Sequence, residues 1–153
     1  MDINQIASRI SSSDANLPSG NPDQIFNDVK IWLLDDSRTL GIDSEGTKIW
    51  FKDNKYHREN GPAIEHINGD KKWFFNGKRH RKDGPAVELN DGYRSWYLNG
   101  KLHREDGPAI EWADGTVEYY LDDSPIFVES EKIKKKYPRL YNDFIVRKIM
   151  GVN

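Results

Sequence analysis

Four glycines, Gly46, Gly69, Gly92 and Gly115, stand 23 residues apart, and the residues between them keep the same step. Trp50, Trp73, Trp96 and Tyr119 hold that interval, as do Phe51, Phe74, Tyr97 and Tyr120. Lys55, Lys78 and Lys101 lead to a common block that reads HRENGPAIE (57–65), HRKDGPAVE (80–88) and HREDGPAIE (103–111). A fixed period of this length means stacked copies of one supersecondary unit, each touching its neighbours. The chain therefore carries three full units, 46–68, 69–91 and 92–114, and a half unit at 115–123.

Turn chemistry shapes the unit. Asn68-Gly69, Asp91-Gly92 and Asp114-Gly115 are dipeptides favoured where both central residues of a tight hairpin need positive φ. Asn76-Gly77 and Asn99-Gly100 supply a second set, and in the half unit Ser124-Pro125 replaces that turn. Gly-Pro at 61–62, 84–85 and 107–108 ends a loop, because proline has no amide hydrogen to give a ladder. Outgoing strands are expected at 47–52, 70–75 and 93–98, return strands at 62–67, 85–90 and 108–113, and a last strand at 116–121. The fold class is mainly β, an elongated antiparallel meander.

Alternation along a strand divides its side chains between two faces. Trp50, Trp73, Trp96 and Tyr119, with Ile64, Val87 and Ile110, are assigned to a core face. Phe51, Phe74, Tyr97 and Tyr120 are assigned to the other, over Ala63, Ala86 and Ala109 and beside Glu65, Glu88 and Glu111.

The flanks differ from the repeats. Ile3, Ile6, Ala7 and Ile10 fit a short amphipathic helix, and 11–23 has linker composition, so 1–23 reads as helix plus linker. KIWLLDD (30–36) echoes KIWFKDN (48–54), which makes 24–45 a degenerate first repeat without the His-Arg block. In 124–153, Ile133 sits among Lys132, Lys134, Lys135 and Lys136. Pro138 then suits a first helical position, with Leu140, Tyr141, Phe144, Ile145 and Ile149 at helical spacing to about Met150. This segment is expected to form a C-terminal helical cap.

Charge follows the same division. Residues 1–45 hold three basic and eight acidic side chains, 46–123 hold 13 and 14, and 124–153 hold seven and three. An acidic front and a basic tail suit self-association, and a net charge of -2 makes nucleic acid an unfavoured partner. With no cysteine, thiol catalysis and Cys-ligated zinc are excluded. No apolar run approaches the ~20 residues of a membrane span, and no signal-peptide apolar region opens the chain, so a cytoplasmic location is expected.

The polar feature that stands out is the row His57-Arg58, His80-Arg81 and His103-Arg104. A metal site is excluded, because equivalent positions two strands apart lie about 9–10 Å from each other. Two imidazoles on one zinc must approach to about 4 Å. The three arginines, helped by Lys78, Arg79 and Lys82, are candidates for gripping phosphates or a partner's carboxylates. They are also candidates for pairing with Asp83, Asp106 or the repeat glutamates, since repeated residues usually serve the repeat. The rings Phe51, Phe74, Tyr97 and Tyr120 are candidates for a partner-binding stripe or for a second core under the terminal helices. No nucleophile elbow, phosphate loop or metalloprotease motif occurs, and near-identical loops recur three times where an active site is unique, so no enzyme and no cofactor are expected.

The period, the pattern G-x-x-x-W-[FY]-x-[ND]-G-K and the hairpin turns resemble MORN-type repeats. The HRxDGPA loop is similar to a variant in proteins of large bacteriophages and giant viruses, in place of the more common His-Gly-x-Gly. The resemblance covers residues 46–123. It implies an open β-meander that binds proteins or lipids and carries no catalytic residues. It further implies a phage-encoded factor that meets a host protein, such as an inhibitor of a defence enzyme. Two other readings stand beside it: sequestration of a nucleotide or other phosphorylated small molecule by Arg58, Arg81 and Arg104, and self-assembly as a homo-oligomer.

Overall fold

The computed structural model describes residues 22, 24–26, 29–34 and 38–151. The expected N-terminal helix at Ile3–Ile10 and nearly all of the linker after it lie outside the described residues. The chain is mainly β, an antiparallel meander followed by two small helices, and it divides into two compact units, Met1–Lys78 and Arg79–Asn153.

Unit one opens with β1 (Gln24–Phe26), β2 (Val29–Leu33), β3 (Arg38–Ile42) and β4 (Lys48–Lys52), paired antiparallel in chain order. Ile31 opposes Gly41 and Leu40 opposes Trp50. Ile31, Thr39 and Leu40 are each 1% exposed and form the centre of this sheet. β2, within KIWLLDD, thus pairs through β3 with β4, within the KIWFKDN it echoes, without a His-Arg loop between them. The sheet continues through Ile64–Glu65, which pairs β4, to Lys71–Lys72.

In the repeats the expected long strands are broken. The later aromatic strands split at the first ring position, residues 73, 96 and 119, into Lys71–Lys72 and Phe74–Phe75, Arg94–Ser95 and Tyr97–Leu98, and Val117–Glu118 and Tyr120–Leu121, whereas β4 runs unbroken through Trp50. The break has a backbone cause, because the tryptophan changes partner there. Trp96 gives its N–H to the Ala109 carbonyl while its own carbonyl accepts from His103. Trp50 does the same with Ala63 and His57. The first half of the strand pairs with the neighbouring return strands, whereas the second half closes a separate small hairpin, such as Tyr97–Leu98 with Lys101–Leu102.

The assignment of faces needs correction. Ile49 opposes Ile64 and Lys48 opposes Glu65, while Ile110 opposes Ser95, which also opposes Val87. The register is one residue away from the expected one, and a one-residue slip moves every side chain to the other face. Val87, Ser95 and Ile110 form a buried row (5%, 0% and 7% exposed), and Ala63, Ala86 and Ala109 are fully buried. Glu65, Glu88 and Glu111 belong with the arginines and tryptophans, not beside Phe51, Phe74, Tyr97 and Tyr120.

The turns also differ in detail. At Asn68-Gly69, Asp91-Gly92 and Asp114-Gly115 only the glycines have positive φ (96°, 103° and 90°). The preceding Asn or Asp instead accepts the backbone N–H two residues on, as Asp114 does from Thr116 at 2.8 Å, which holds the Asp114 carboxyl below its ordinary pKa. Both residues are left-handed at Asn76-Gly77, Asn99-Gly100 and Asp53-Asn54. The half unit was expected to lose this turn at Ser124-Pro125. Asp122 and Asp123 make it with φ of 52° and 64°, and Ser124–Pro125 pairs with Tyr120–Leu121.

Unit two ends with α1 (Glu131–Lys136) and α2 (Pro138–Met150), the two segments expected from the sequence. Pro138 occupies the first turn of α2, and Gly151 ends it in the left-handed region at φ 68°. Leu140 is fully buried, and the Phe144 ring meets Tyr119 edge-on at 5.9 Å. The Tyr119 hydroxyl donates to Asp143 at 3.1 Å, Arg147 donates to Asp143 and Glu111, and Lys148 pairs with Glu129. Burial, then the Asp143 charge and hydrogen bond, push the Tyr119 phenol well above its ordinary pKa.

Candidate functional site

The HRxDGPAxE block is a lock. The Arg104 guanidinium lies 4.0 Å from the Trp96 ring centroid, and Nη1 donates to the Pro108 carbonyl at 3.2 Å and to Glu111 at 3.1 Å. Its Nε donates to Asp106 at 2.8 Å. Arg81 repeats the set with Pro85, Glu88 (2.7 Å) and Asp83 (3.3 Å). Arg58, 3.8 Å from the Trp50 centroid, repeats it with Pro62 and Glu65, where Asn60 stands in place of the aspartate. Planar guanidinium, ring face and carboxylate are matched for such a stack.

The glycine of each block gives the guanidinium its space. A Cβ on Gly107 would stand 2.9 Å from the Arg104 guanidinium carbon, and one on Gly84 as close to that of Arg81. Neither glycine has a left-handed backbone, so what a side chain at either position would meet is the guanidinium.

Each histidine ties its loop to the next unit's turn. The Asn76 backbone N–H reaches Nδ1 of His57 at 3.1 Å, and the Asn99 N–H reaches Nδ1 of His80 at 3.0 Å. His103 has Asp122 at the same place, 3.2 Å away. The next residue adds a backbone bond: Arg58 N–H to Phe74, Arg81 to Tyr97 and Arg104 to Tyr120. The histidines and arginines singled out from the sequence are thus all engaged with their own chain. Among the described residues no three His, Asp or Glu side chains group so as to hold a metal ion.

The four aromatic candidates are each half-buried. Tyr56, a residue the sequence pattern did not mark, stacks between Phe51 (5.1 Å) and Phe74 (5.2 Å). Arg79 lies 5.2 Å from the Tyr97 centroid, and the Tyr120 hydroxyl donates to Glu118, which raises its pKa. α2 lies against Tyr119 and Glu111, on the arginine face.

Within unit two the lock and the helical cap enclose a groove of about 1040 Å³. Trp96 and Leu98 line it, loops 81–85 and 103–106 form its sides, and residues 136–139, where α1 gives way to α2, close it. Five cations (Arg81, Lys82, Arg104, Lys136 and Arg139) and three carboxylates (Asp83, Glu105 and Asp106) face it. Internal ion pairs engage four of these, Asp83 on Arg81 and Asp106 on Arg104, and Glu105 stands 3.6 Å from His103. Lys82 and Arg139, both exposed, have no ion-pair or hydrogen-bond partner among the described residues. Interaction with the Tyr137 phenol raises the Lys136 pKa. Arg139 and Tyr137 were not singled out from the sequence; the available signal was the lysine run ending beside Pro138.

No protein-family model, no curated protein and no solved structure matches this chain. No helix among the described residues is long and apolar enough to cross a membrane.

Proposed function

We propose that this chain is a non-catalytic binding module that holds a protein partner in the groove of its second unit. One observation carries the reading. The repeated arginines bond to carbonyls and glutamates inside the lock, whereas Lys82 and Arg139, at the same groove, have no ion-pair or hydrogen-bond partner among the described residues. Residues that serve the fold are recognisable by their bonds, and residues outside that pattern are available for recognition. A partner that is a host protein met by a virus-encoded factor is supported by the resemblance of the repeats alone. Sequestration of a nucleotide by Arg58, Arg81 and Arg104 has less support, since an incoming phosphate would have to displace Glu65, Glu88 or Glu111 from them.

The test is capture from a bacterial lysate with the wild-type chain and with Lys82→Glu combined with Arg139→Glu. A species held by the wild type, lost by the charge reversal and retained by Ile149→Glu, on the exposed end of α2, supports the groove as the contact. Equal capture by all three contradicts it.

A further inference from the structure

The groove's chemistry defines its occupant, and this step rests on the protein-binding reading above. We infer that the groove takes an extended, acidic segment of the partner protein, with Asp or Glu at separated positions. Two arguments converge on that class. Lys82 and Arg139, which have no ion-pair partner among the described residues, stand with Lys136 at the groove, whereas Asp83 and Asp106 are held by Arg81 and Arg104, so an entering carboxylate has three cations to meet. Along each wall, however, carboxylates stand directly after a cation: Lys82 precedes Asp83, and Arg104 precedes Glu105 and Asp106. A dense polyanion would set phosphates against those carboxylates, whereas a peptide with spaced acidic side chains places charge on the cations alone. The volume, about 1040 Å³, lies at the upper end of the range for small-molecule sites and accommodates several residues of extended chain. Trp96 and Leu98 add an apolar surface against which a backbone can lie.

Titration calorimetry with four probes on the full chain tests this. They are a decapeptide of alternating Glu and Ser, the same peptide with Gln for Glu, the same with Lys for Glu, and inorganic tripolyphosphate. The Glu peptide binds, weakens about tenfold or more between 20 and 200 mM salt, and weakens about tenfold or more in Lys82→Glu with Arg139→Glu. The conservative pair Lys82→Arg and Arg139→Lys retains it. Equal binding of the Gln peptide overturns charge as the recognised feature. Tripolyphosphate binding as tightly as the Glu peptide and displacing it overturns the peptide in favour of a compact phosphate. If no probe binds while the charge reversal still abolishes capture from lysate, the inference fails and the protein-binding reading survives. If neither assay responds to the charge reversal, both fail.

Discussion

The strands at 29–52 and the repeats from residue 79 onward solve the same problem with different materials. In the first region β2, β3 and β4 are five residues each, pair without interruption and bury Ile31, Leu40 and Thr39 between them. In the second the strands are two residues long, and the buried side chains are mostly small, Ala86, Ala109, Ser95 and Pro108, with Val87 and Ile110 the larger ones. There the arginine stack supplies what aliphatic packing supplies elsewhere. In each unit one guanidinium satisfies a carbonyl and fixes a glutamate, and at Trp50 and Trp96 it also covers the ring. A thin sheet in a chain with 31% charged residues can therefore be held by repeated polar hubs that each bind a carbonyl and a glutamate.

That contrast can be broken by mutation. Leu40→Ala is expected to cost about 2–5 kcal/mol, the usual cost of truncating a buried leucine, measured by chemical denaturation. Arg104→Ala is expected to cost about 2–4 kcal/mol, because it strips Glu111 of its main partner and uncovers Trp96. An ordinary surface arginine would cost under about 0.5 kcal/mol, and such a value would erase the difference between the regions. Gly107→Ala should cost about 1–3 kcal/mol by forcing the guanidinium off its bonds, and it should add little in the Arg104→Ala background. His80→Ala removes one acceptor and should cost about 1 kcal/mol.

The smallest effect is alkaline. The Tyr119 phenol is raised above its ordinary value of 10.0 by burial and Asp143, so the folded state keeps a proton that the unfolded chain loses. Its contribution is present below about pH 10 and is lost as pH rises beyond that. Between pH 8 and pH 11 the wild-type unfolding midpoint should fall further than that of Tyr119→Phe.

Much of this was legible in the residues. The 23-residue period marked the strands, Asn76-Gly77 and Asn99-Gly100 marked tight turns, and Pro138 with its apolar spacing marked α2. Register was not legible, because ring positions 50 and 51 and their equivalents are aromatic on both faces, and alternation alone cannot choose between them. The strand break at Trp96 depends on which neighbours share its N–H and carbonyl, a tertiary fact. Asp122-Asp123 was missed as a turn because neither residue is glycine. The lock was present among the alternatives for the His-Arg row, but its stacking on tryptophan was not foreseen. The groove joins loops 81–85 and 103–106 to residues 136–139, and no local pattern links segments so far apart in the chain.

The most direct test of the division between locking and recognising residues measures thermal unfolding and capture together on two variants. Arg104→Ala should lower the unfolding temperature markedly, whereas Lys82→Glu with Arg139→Glu should abolish capture and leave that temperature within a degree or two of the wild type. An unfolding temperature unchanged by Arg104→Ala, or capture untouched by the charge reversal, would contradict the account.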